Sequence, residues 1–348
     1  MSIAIPQIRI QTSETWRRFC WACVVVIGVI GVGCVLYAIE SLLLDSRHRF
    51  VENPAETMMR AAGLAHFSIG WIFLFSSPRL RNRAALARLA VCTLFGAAFC
   101  AVFAWGGGDK NPLCAVAFYG FFFIHEIYDE AHLFKHCGEL PRNVPNPDRF
   151  LGALAMSVSL TFIVLLASFQ IMRGRLLGRS DPLQHPAGTW LYAVAFTSLS
   201  AAAWAWPRTL RRAIPFRDTV QAYQPLLAVY GGLLGILLVG TTFGSVGYNF
   251  IIILHGIMWL FFACGKMRER RLDGDWATWA TWSIPWTWLR HTPAGLITLH
   301  IALAALVLLL FALRTHIWER TGLVCDLVSK TWFPYWAIMH IAMSFWRK

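Results

Sequence analysis

Charge is what this sequence has least of. Asp, Glu, Lys and Arg make up 14% of its 348 residues, with 18 acidic against 31 basic side chains. Soluble domains carry about 25% charged residues, so the two soluble domains that length alone suggests are excluded. Familiar catalytic signatures are missing as well. There is no P-loop, no dinucleotide fingerprint and no nucleophile elbow. His125-Glu126-Ile127-Tyr128-Asp129 has Asp where a zincin needs its second His, and the repeated histidine boxes of membrane desaturases are absent. No internal repeat, low-complexity tract or signal peptide is visible. The first apolar run, Cys20 to Leu44, is too long for a signal h-region and begins after Arg17-Arg18.

What the chain has instead is apolar length. Hydrophobic residues make up 57% of it and the mean hydropathy is +0.54. Apolar runs at 20–44, 60–77, 85–106, 113–134, 151–172, 187–206, 224–243, 246–265, 294–314 and 328–346 each approach the ~20 residues that a hydrocarbon core requires. The expected fold is an all-α polytopic membrane protein of about ten transmembrane helices, forming one domain over residues 1–348. Pro334 interrupts the last run.

The net charge of +13 does not mark a nucleic-acid surface, because the arginines sit in short clusters beside apolar runs, as topology signals do. Arg17-Arg18, Arg79/Arg81/Arg83, Lys135–Arg149, Arg208–Arg217, Lys266–Arg271 and Arg347-Lys348 fall on one side of a ten-span arrangement, and only the Arg173–Arg179 loop dissents. Both termini are therefore expected in the cytoplasm, with 1–15 as a polar leader and a bacterial inner membrane as the setting. The segment 273–291 carries Trp276, Trp279, Trp282, Trp286 and Trp288 and reads as an interfacial amphipathic helix, either an anchor or an entry platform for a lipid-soluble substrate. The nine cysteines are scattered and mostly lie inside apolar runs, where they act as small hydrophobes. Cys20-Trp21-Ala22-Cys23 is one C-x-x-C without a second pair, too little for a metal site.

One stretch carries most of the chemistry. His125, Glu126, Asp129, Glu130, His132 and His136 follow directly on the apolar run Leu113 to Ile124. At 3.6 residues per turn, His125, Asp129, His132 and His136 fall within a sector roughly 60° wide. Glu126 and Glu130 form a second stripe beside it. An ionisable group in a membrane helix costs about 2.5–3.5 kcal/mol at its centre, so such a set implies partners or function. Imidazole and carboxylate at i, i+3 and i, i+4 spacing chelate a transition metal from one helix face. His125 and His136 are about 16 Å apart along the axis, so the stripe cannot surround one ion. It feeds a two-metal centre only through its central members.

Counting from the loops places His125 and His255 near mid-membrane, and His132, His136, His300 and His340 in the cytoplasmic half. His66, six residues past Arg60, falls in the outer half and reads as separate. Two layers result: His125, Asp129 and His255 in the middle, and His132, His136, His300 and His340 below.

The leading expectation is a membrane-embedded non-haem iron oxidoreductase acting on a lipid, fatty acyl or isoprenoid substrate, with a separate protein as electron donor. Its metal ligands would be His125, Asp129, His132, His136, His255 and His340. Glu126 and Glu130 would carry protons, with Tyr128 as a nearby donor. The alternatives are a haem- or chlorophyll-binding electron-transfer subunit, a proton-coupled transporter using the same stripe, and a membrane acyltransferase with His255 as base.

Overall fold

The computed structural model describes residues 54–75, 82–108, 111–137, 147–176, 188–242, 255–260, 262–264, 267, 288, 292–321 and 333–345. Among these the secondary structure is helical and no strand occurs. In chain order the helices are α1 (Pro54–Phe75), α2 (Arg83–Trp105), α3 (Pro112–Cys137), α4 (Pro147–Leu176), α5 (Gly188–Arg212) and α6 (Phe216–Thr242). The short apolar α7 (His255–Cys264) follows, then α8 (Pro293–Ala312), α9 (Arg314–Thr321) and α10 (Phe333–Ser344). The leader 1–15, the run 20–44 with its Cys20/Cys23 pair and, Trp288 apart, the tryptophan segment lie outside the described residues.

Local chemistry sets the helix starts. Asn82 caps α2, its Oδ1 accepting from the Ala84 N–H at 2.8 Å. Asn111 caps α3, its Oδ1 accepting from the Leu113 N–H at 3.0 Å while its Nδ2 donates to the Gly106 carbonyl at 2.7 Å. The turn before it uses Gly107 and Gly108 at φ 91 and 61, a backbone region open chiefly to glycine. Thr292 caps α8 by accepting from the Gly295 N–H at 3.0 Å. Proline opens α1, α3, α4 and α8, where its missing N–H costs nothing. Pro334 belongs to this pattern. It stands at the second residue of α10, so it starts a helix where the sequence had suggested an interruption.

Among the described residues, four helical stretches are long and apolar enough to cross a membrane: Arg83–Trp105, Pro147–Met172, Phe216–Leu238 and Pro293–Ala312. That is the makeup of a membrane protein. The α3 helix, expected as a crossing, is not among the four, since His, Asp and Glu dilute its C-terminal half. On α2 and α8, residues such as Val91, Leu94, Phe95, Ile301 and Leu309 are exposed, an outer surface suited to lipid rather than water.

The chain divides into two compact units, Met1–Ala38 with Ala101–Tyr248 and Ile39–Cys100 with Asn249–Lys348. In the first, α4 packs against α3 and α5. Phe123 and Phe162 meet at 4.6 Å between ring centres, the Ser157 and Thr209 hydroxyls are 2.9 Å apart, and Trp206 Nε1 donates to Thr161 Oγ1 at 3.0 Å. The Tyr230 hydroxyl of α6 donates to the Ile127 carbonyl of α3 at 2.8 Å. In the second unit, α1 packs against α8 and α10. Leu74, Ala85, Leu89 and Met343 form an apolar cluster there, with Trp71, Cys92 and Met339 against it.

Candidate metal centre

The second unit gathers four histidines from four different helices around one of them. His66 comes from α1, His255 opens α7, His300 lies on α8 and His340 on α10. His66 is the hub. Its ring centre is 5.2 Å from His255, 5.0 Å from His340 and 6.4 Å from His300. Trp259, one turn beyond His255, lies 4.9 Å from His66 and 6.0 Å from His300.

His66, His255 and His340 are buried, and each offers a ring nitrogen within 4.8 Å of the others. Imidazoles that share one tetrahedral ion at 2.0–2.1 Å have ring centres about 5 Å apart. The His66–His255 and His66–His340 distances match that figure. Nitrogens that share such an ion stand about 3.3 Å apart, so the three would draw inward to hold one.

Neighbouring residues fix these rings. His340 stacks on Phe67 at 4.6 Å and 28°, and Phe67 meets Phe333 at 5.6 Å. Gly70, one turn after His66, lets the His340 ring approach the α1 backbone. A Cβ there would lie 2.9 Å from His340 Cε1 and 3.2 Å from its Nδ1. The His300 Nδ1 lies 3.0 Å from the Leu296 carbonyl. A carbonyl only accepts, so Nδ1 carries the proton and neutral His300 keeps its lone pair on Nε2. That Nε2 is buried with no hydrogen-bond partner among the described residues.

The α3 stripe belongs to the first unit. His125 is buried, and its Nε2 lies 3.3 Å from Asp129 Oδ2. Glu126 and Glu130 are buried on the adjoining face, and Glu130 Oε1 has no hydrogen-bond partner among the described residues. Asp129 is half-buried, while Tyr128 and His132 are exposed. His136 lies in α3, with its side chain outside the described residues. At the helix end, Lys135 Nζ meets Asp148 Oδ1 at 2.9 Å, an exposed pair of little energetic weight.

Of the expected ligands, then, His255 and His340 stand together in the second unit, around a histidine set aside as separate. The two-layer grouping had put them at different depths. Both touch His66, so for these residues the layers are one. Counting residues from Arg60 gives His66 a height along its helix but no neighbours. A usable signal was Gly70 at i+4, a small residue that makes room beside the imidazole for a ring from another helix. Comparison of the chain with protein-family models, with curated proteins and with solved structures found no match.

Proposed function

We propose that the chain is a membrane-embedded, transition-metal-dependent oxidoreductase acting on a lipid-soluble substrate, with its metal held by His66, His255 and His340. The observation that carries the reading is the set of three buried imidazoles, from three helices, whose nitrogens lie within 4.8 Å of one another. Three protein ligands leave a coordination position for substrate, the arrangement of catalytic rather than structural metal sites. Imidazole donors suit iron and copper, the redox-active choices, as well as zinc. Mixed histidine and carboxylate ligation would favour iron. An all-imidazole set takes copper as readily.

The exposed apolar surfaces of α2 and α8 suit entry of a lipid, fatty acyl or isoprenoid compound from the bilayer. Electrons come from a separate donor protein. The topology that goes with it is ten crossings with both termini cytoplasmic in a bacterial inner membrane, supported by the one-sided arginine clusters.

Elemental analysis of the purified full chain, taken with its absorption spectrum, tests the proposal. About one equivalent of iron or copper supports it. A metal-free protein overturns it, and a Soret band moves the reading to a tetrapyrrole-binding subunit.

A further inference from the structure

His300 is the one member of the histidine group without an obvious place in the three-ligand set. Its ring centre is 6.4 Å from His66, beyond the ~5 Å of neighbouring ligands on a tetrahedral ion, and it is not part of the group whose nitrogens lie within 4.8 Å. It is nonetheless held in one orientation. Nδ1–H donates back to the Leu296 carbonyl of its own helix, which turns Nε2 away from the α8 backbone with a lone pair and no partner among the described residues. Leaving a buried acceptor unsatisfied costs about 1–3 kcal/mol, a cost removed when a donor arrives. Its ring lies beside His66, near-parallel at 28°, and beside Trp259 at 6.0 Å.

Resting on the metal reading above, we propose that His300 is a positioning residue: its Nε2 accepts a hydrogen bond from a proton-bearing ligand, such as water or a hydroxylic substrate, at the open position of the ion. A ligand bound to the metal reaches past the three imidazoles by one metal–oxygen bond plus one hydrogen bond, about 2 Å and 2.8 Å. That reach places the acceptor outside the ligand set yet beside it. The anchored tautomer matters because it presents a lone pair, whereas the other tautomer would present an N–H and repel a donor.

The test loads the purified full chain with copper(II), counts coordinated imidazoles by electron spin echo modulation, and titrates the open position with two probes in alkaline buffer. Ammonia keeps N–H groups when bound, and azide has none. The proposal predicts three imidazoles in wild type and in His300→Ala. It predicts ammonia weakened roughly tenfold in the alanine variant, the equivalent of one hydrogen bond, with azide affinity unchanged. His300→Gln, whose amide oxygen also accepts, restores ammonia binding. Four imidazoles in wild type falling to three in His300→Ala make His300 a ligand and overturn the proposal. Equal loss of both probes, or of neither, also overturns it while leaving the metal reading intact. Failure of wild type to take up copper counts against the metal reading itself, and the proposal falls with it.

Discussion

His340 occupies space that only glycine leaves free at position 70. A Cβ there would stand 2.9 Å from the ring's Cε1. The ring has little freedom to yield, since Phe67 stacks on one side at 4.6 Å and His66 lies 5.0 Å away. Gly70→Ala should therefore displace the imidazole, lowering bound metal while helix content by circular dichroism stays the same. Overpacking of this kind costs typically about 1–3 kcal/mol, readable as a lower melting temperature in detergent.

The hub position of His66 sets an order among the histidine variants. His66→Ala should weaken metal binding by more than the ~100-fold that loss of an outer partner costs, and His255→Ala and His340→Ala should do likewise. His300→Ala should keep the metal, because its ring centre is 6.4 Å from His66 and it stands outside the group whose nitrogens lie within 4.8 Å of one another. Metal content after dialysis against a chelator checks this, and retention in His66→Ala would count against the site.

Two further glycines give a paired prediction. A Cβ at Gly96 would approach Ala342 Cβ to 2.8 Å and Met339 Sδ to 3.1 Å, so small residues let α2 and α10 pack closely. Gly96→Ala should destabilise the chain by about 1–3 kcal/mol. At Gly152 of α4 a Cβ would meet nothing within 4 Å. Gly152→Ala should be neutral or gain up to ~1 kcal/mol from helix propensity. Thermal unfolding of the two proteins in one detergent compares them directly.

Tyr230→Phe removes the hydroxyl that donates to the Ile127 carbonyl at 2.8 Å. That carbonyl lies in the interior of α3 and so also serves the helix ladder, and interhelical hydrogen bonds in membranes average about 0.6 kcal/mol. A loss of ~0.5–1.5 kcal/mol, read as a lower melting temperature in detergent, is the expected outcome.

Much of the helical framework was legible in the sequence. Apolar runs locate the described helices apart from α9 (Arg314–Thr321), while the caps Asn82, Asn111 and Thr292 emerge only from the structure. Pro334 misled because a proline after an apolar stretch signals a break unless the helix start is known. The histidine site was only half legible. Periodicity places His125, Asp129 and His132 on one stripe, yet burial falls along it, from buried His125 to exposed His132, while Glu130, Ala131 and Leu133 on the neighbouring faces stay buried. His66 could be given a height but no neighbours. The packing of α1 against α8 and α10 is a long-range relationship that no local pattern encodes.

X-ray absorption at the metal edge of the purified chain probes the site most directly. The account predicts a first shell of nitrogen at about 2.0–2.1 Å, with the outer-shell scattering of three imidazoles that is lost in His66→Ala. A shell of sulfur or of oxygen alone, or a protein with no transition-metal edge, would contradict it.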